Sequence, residues 1–131
     1  MKTLFLLTLA GLLPLLIACG RDEYNPNLTG IAPIAIDSVA IAQDTMEVFA
    51  SQSLRTYSSY LNGCEGFYGY DYTLDGFTRY VKAYKFSTSA NCGTPTERIS
   101  QINFVPQETG TYTFLFSKGN DQWIEKKIVV K

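Results

Sequence analysis

Tyr70-Asp71-Tyr72-Thr73-Leu74-Asp75-Gly76-Phe77-Thr78-Arg79-Tyr80-Val81 is the stretch that decides how this chain folds. Asp75-Gly76 stands between two runs that alternate in polarity with period two. Asp-Gly in that setting predicts a type I′ hairpin, whose two central residues both need a positive φ. The turn then sets the register. Leu74 is expected opposite Phe77, Tyr72 opposite Arg79, Tyr70 opposite Val81 and Tyr68 opposite Ala83, all on one face. Thr73 with Thr78, Asp71 with Tyr80, Gly69 with Lys82 and Phe67 with Tyr84 share the other face. The first set is the more apolar and is expected to face the core. Tyr80, Lys82 and Tyr84 then face solvent.

The same pattern continues on both sides. From Ile34 onward, period-two segments alternate with turn residues every eight to twelve positions, which points to a β-sandwich or barrel. No window there sustains helical spacing with caps. Strands are expected near 34–42, 45–50, 53–60, 66–74, 77–86, 98–106, 111–117 and 122–130. A second hairpin runs from Tyr112-Thr113-Phe114-Leu115-Phe116, through Lys118-Gly119-Asn120-Asp121, back along Trp123 to Val130. Tyr112, Phe114 and Phe116 share one face of it. Trp123 falls on the side of Glu125 and Lys127 and is expected to be exposed.

Glu108-Thr109-Gly110-Thr111-Tyr112 resembles the Asp-x-Gly-x-Tyr segment that enters strand F of immunoglobulin-like domains. The resemblance implies that the Tyr112 hydroxyl bonds back to the chain and pins the corner. Phe114 occupies the place of the second intersheet Cys, so no antibody-type disulfide is implied. The expected fold is all-β: an immunoglobulin-like antiparallel β-sandwich of about seven to eight strands over residues 34–131.

The first residues read as an address. Lys2 is followed by an apolar run from Leu4 to Ala18, interrupted only by Thr8, Gly11 and Pro14. That run falls short of the roughly 20 residues a bilayer span needs and ends in small residues, as signal peptides do. Leu16-Ile17-Ala18-Cys19 resembles the lipobox of bacterial lipoproteins. The resemblance implies cleavage after residue 18, a diacylglyceryl thioether on Cys19 and acylation of the new amine, with a palmitate chain among the anchors. Two or more chains hold a protein stably on a membrane. Cys19-Gly20-Arg21-Asp22-Glu23 further resembles the export signal of Bacteroidota surface lipoproteins, and Asp37-Ser38-Val39 and Asp44-Thr45-Met46 resemble their O-glycosylation sites. The implied location is the bacterial cell envelope, lipid-anchored to the outer membrane, on its periplasmic face or at the cell surface. Residues 19–33, rich in Gly, Pro and Asn, are expected to form a flexible tether after the lipidated Cys.

Composition closes several routes. The 131 residues carry 11 basic and 12 acidic side chains, so no cationic surplus exists for nucleic acid. There is no His, the commonest general base and metal ligand. No cofactor or metal is expected. Cys64 and Cys92 remain once Cys19 is acylated, an even pair in an oxidising compartment, and are expected to form a disulfide. A nucleophile–resolver or metal pair is the alternative, though the pair lacks Cys-x-x-Cys spacing. Glu65, Asp71 and Asp75 are the carboxylates that a glycan-processing enzyme would need.

Tyr57, Tyr60, Tyr68, Tyr70, Tyr72, Tyr80 and Tyr84 fall within thirty residues and carry the functional signal. Tyr has high β propensity and fills cores, but exposed Tyr also supplies large, rigid contact area with a polar tip. Tyr80, Lys82, Tyr84 and Trp123 are the binding residues the register exposes. The expectation is a lipid-anchored, non-enzymatic binding or structural protein with a protein or glycan ligand. The second reading is a small lipoprotein inhibitor of a hydrolase such as lysozyme or a protease, with the disulfide-pinned 87–97 loop as its plug.

Overall fold

In the computed structural model, residues 28–89 and 92–131 are described. The expected signal segment, Cys19 and the tether as far as residue 27 lie outside the described residues. Nine strands follow in order: β1 (Leu28–Ile34), β2 (Ser38–Ala40), β3 (Thr45–Met46), β4 (Gln52–Tyr60), β5 (Glu65–Asp75), β6 (Thr78–Thr88), β7 (Thr96–Phe104), β8 (Gly110–Gly119) and β9 (Gln122–Val130). No helix occurs among the described residues. The all-β expectation therefore holds.

The strands form two sheets. The first is ordered β5-β6-β8-β9-β3, with β1 also paired to β6. The second is β2-β4-β7 and is antiparallel throughout. β6 pairs with β8 along Thr78–Val81 and with β1 along Ala83–Thr88, so two strands share its edge. Two pairings are parallel, β6 with β8 and β3 with β9, which corrects the expectation of a fully antiparallel arrangement. The chain leaves β6, passes through β7 in the other sheet and returns as β8. That crossover lets β8 arrive running in the same direction as β6.

Both sheets contribute to one core. Leu54 and Phe104 from the second sheet lie among Val81, Ala83, Tyr112, Phe114, Phe116, Ile128 and Val130 from the first. Phe104 meets Tyr112 and Phe114 edge to face, with ring centroids 5.1 and 4.9 Å apart. Such pairs contribute about 0.5–1.5 kcal/mol beyond area burial. Towards β5 the inner layer turns polar. Thr56 Oγ1 and Tyr70 Oη share a hydrogen bond of 2.6 Å between the sheets.

The expected single strand over 34–42 is broken by a sheet change. Ile36 N donates to Ser117 O of the first sheet at 2.9 Å, and Asp37 N to Tyr57 O of the second at 2.8 Å. The chain crosses between layers at this point, and the Ile36 side chain is fully buried there. Leu28–Ile34, expected within the tether up to residue 33, pairs with β6. The expected strand over 45–50 ends at Met46, because Ala50 N bonds back to Glu47 O and Phe49 takes a φ of 64°.

The deciding hairpin forms, with its turn displaced by one residue. Asp75 pairs with Thr78, so Gly76 and Phe77 are the central residues. Gly76 takes a φ of 58°, while neither Asp75 nor Phe77 is positive. Glycine at the first central position is the type II′ pattern instead of I′. Phe77 explains the shift. Its ring lies edge-on to Tyr112 at 5.0 Å and its carbonyl accepts from Thr113 N at 3.0 Å. From Gly69 to Leu74 each partner moves by two residues, for example Tyr72 to Val81, so the faces keep their identity there. Farther along, a bulge at Tyr68 inserts one extra residue. It turns Phe67 towards the core and leaves Tyr68 59 % exposed, reversing the expectation for both.

Gly66 faces the Phe86 ring so closely that a Cβ there would lie 2.5 Å from ring carbons. Tyr112 Oη donates to the Glu108 carbonyl at 3.0 Å, the corner bond its sequence context implies. Cys64 and Cys92 form a disulfide with Cα atoms 5.1 Å apart, and Thr88 N donates to Cys64 O at 3.0 Å. The bridge ties the β6–β7 connection to the start of β5.

Two outcomes are expected from equilibrium unfolding in urea. Tyr112→Phe lowers stability by about 1 kcal/mol through loss of the corner hydrogen bond. Cys92→Ser lowers it by roughly 3–4 kcal/mol, given the 28-residue separation the bridge closes. A Cys92→Ser protein as stable as the parent would contradict the second.

Candidate functional site

Alternation along β6 sends Tyr80, Lys82 and Tyr84 to the outer face of the first sheet, opposite Val81 and Ala83 in the core. Trp123 comes from β9, two strands away. The β8–β9 turn delivers it. Asn120 and Asp121 both take positive φ, 51° and 57°, the type I′ geometry that short polar residues tolerate. Trp123 pairs with Ser117 on β8, whereas Tyr80 pairs with Leu115 on the same strand. The indole therefore lies diagonally across β8 from Tyr80. Their ring centroids are 5.8 Å apart and their planes meet at 76°.

The rings form a corner over a shallow depression of about 230 Å³, lined by Asp71, Thr73, Tyr80, Lys82 and Trp123. A second depression of about 260 Å³ adjoins it, with Tyr84, Asn120 and Asp121 in its wall. Lys82 and Trp123 line both. The four residues singled out in the sequence thus occupy one continuous surface. Trp123 is 37 % exposed, so part of its ring is open to a ligand. Asp71 sits opposite Lys82 in the strand register without an ion pair between them among the described residues. A carboxylate acceptor and an ammonium donor therefore both face the depression.

Asp71 and Thr73 belong to this surface, a role that sequence reading did not give them. Period two was enough to find them, because Tyr80 and Lys82 share their face. The remaining Tyr residues divide. Tyr60, Tyr70 and Tyr72 turn inwards, and burial pushes their hydroxyls above the usual tyrosine range. Tyr68 lies outside on the bulge.

Glu65 and Asp71 lie on opposite faces of β5, and Asp75 flanks the turn, so the structure does not bring the three carboxylates together. Glu65 is buried and engaged. Lys85 Nζ donates to its Oε1 at 2.6 Å, and Leu61 N to its Oε2 at 2.9 Å. The Lys85 hydrogen bond holds its carboxyl below the usual glutamate range, against the opposing effect of burial. No group of three or more metal-ligating side chains occurs among the described residues. Residues 90–91 of the expected 87–97 plug loop lie outside the described residues.

A lowered folded-state pKa gives stabilisation that is complete above the unfolded carboxyl's value, near 4.3, and is lost as pH falls through the folded one. Glu65→Gln is expected to reduce stability by about 1–3 kcal/mol at neutral pH. The gap to the parent should narrow progressively below pH ~4. Urea titrations at several pH values measure it, and a pH-independent gap would contradict the assignment.

No protein family, no curated protein and no solved structure matches this chain.

Proposed function

We propose that this chain is a lipid-anchored protein of the bacterial envelope, carrying an immunoglobulin-like domain that binds a glycan and catalyses no reaction. The observation that carries the reading is the meeting of Tyr80, Lys82, Tyr84 and Trp123 on one sheet face around two adjoining depressions. Sugar rings present apolar C–H faces and polar hydroxyl edges. Rigid aromatic side chains cover the former at low entropic cost. Asp71, Thr73 and Lys82 offer an acceptor, a hydroxyl and a donor to the latter. Leu16-Ile17-Ala18-Cys19 supports the anchor, and the Tyr112–Glu108 hydrogen bond supports the immunoglobulin-like fold.

Binding of the purified protein to an array of envelope and host polysaccharides tests the first part. Trp123→Ala and Tyr80→Ala should each weaken retention by about tenfold or more, and Lys82→Gln by less. Retention by Trp123→Ala equal to the parent, or retention on protein baits alone, would overturn the glycan reading. Labelled palmitate should enter the parent and not Cys19→Ser. Equal labelling of the two would overturn the anchor.

A further inference from the structure

We propose a second binding site, at the Phe77 end of the molecule, for a small organic acid: one carboxylate carried on an aromatic or branched apolar body. It is separate from the outer sheet face and does not depend on the glycan reading. The β5–β6 tip and the segment from Ile102 to Glu108 enclose a cleft of about 740 Å³. That lies within the ~300–1,000 Å³ typical of small-ligand sites. Phe104 and Tyr112, both buried, contribute to its lining. Leu74, Phe77 and Val105 line it while 62 %, 42 % and 48 % exposed. The sequence register assigns Leu74 to the core. Here that side chain meets an open cleft instead of the second sheet, so three large apolar groups remain in water around one opening. Covering them is favourable by about 25 cal/mol per Å².

Arg79 supplies the polar anchor. Its Nη1 donates to the Gly76 carbonyl at 2.5 Å and the Thr78 carbonyl at 3.2 Å, and its guanidinium carbon stands 5.1 Å from the centre of the Tyr112 ring. Tyr72 lines the cleft alongside it. These contacts fix the plane of the guanidinium, and no carboxylate among the described residues forms an ion pair with it. A held, planar fork without a carboxylate partner is suited to bidentate capture of one. Among the described residues, Arg79 is the one cation lining the cleft and Glu108 the one anion. A single guanidinium, with the Glu108 carboxylate also in the lining, matches a monovalent carboxylate better than a divalent phosphate.

The test titrates the purified protein with 3-phenylpropionate, following backbone amide shifts by NMR. The acid should bind saturably in the millimolar range or tighter. Its shifts should cluster at residues 72–79 and 102–112. 3-Phenyl-1-propanol, which lacks the charge, and propionate, which lacks the ring, should each bind about tenfold more weakly. Arg79→Gln should cost a similar factor, whereas Lys82→Gln on the outer face should cost nothing. Val105→Asp, at an exposed position, places a competing carboxylate at the rim and should weaken binding even if Arg79→Gln fails to fold. No saturable binding, equal affinity for acid and alcohol, shifts centred elsewhere, or full affinity in the Val105→Asp protein would each overturn the proposal. Loss of polysaccharide binding in Trp123→Ala with this titration unchanged would show the two sites to be independent.

Discussion

The edge of β6 is shared, and the rest of the fold follows from that division. Its first four residues pair with β8 and the stretch from Ala83 onward pairs with β1, while β5 covers the opposite edge. An eleven-residue strand flanked in this way cannot slide without breaking three ladders at once. Its inward residues, Val81 and Ala83, are then locked into the core beside Phe114 and Phe116. Its outward residues are fixed with equal certainty. The aromatic corner of Tyr80 and Trp123 exists because β8 holds β6 and β9 at a constant two-strand separation.

Polarity alternation carried much of this information. The paired faces of the β5–β6 hairpin, the shared face of Tyr112, Phe114 and Phe116, and the outward placement of Trp123 were all legible, because a buried face leaves a period-two imprint on composition. The corner hydrogen bond was legible for another reason: a tyrosine at fixed spacing from Glu108 and Gly110 is a local signature. The disulfide followed from the even pair Cys64 and Cys92 once an oxidising compartment was expected.

What escaped reading lacks any such imprint. β1 is exposed along nearly its whole length and contains Gly30 and Pro33, so nothing in its sequence separates strand from linker. The bulge at Tyr68 is one residue too many for the ladder, and several neighbouring positions would have accepted it with similar composition. The turn moved because Phe77 found Tyr112 and Gly110, contacts more than thirty residues away in sequence. The parallel entry of β8 depends on the chain crossing to the other sheet as β7 between β6 and β8, which no local pattern encodes. The Arg79 cleft was invisible for a related reason. Register assigns Arg79 and Leu74 to the inner face, but only the extent of the opposing sheet decides whether that face is covered.

The direction of β1 has a mechanical consequence. Leu28 pairs with Thr88, at the disulfide end of β6, and Gly76–Phe77 close its other end. Ten residue steps at ~3.3 Å each separate the two, about 33 Å. A support that grips the chain at Leu28 itself would therefore hold the bridged end and leave the arginine-bearing mouth at the far end, in the manner of a nozzle.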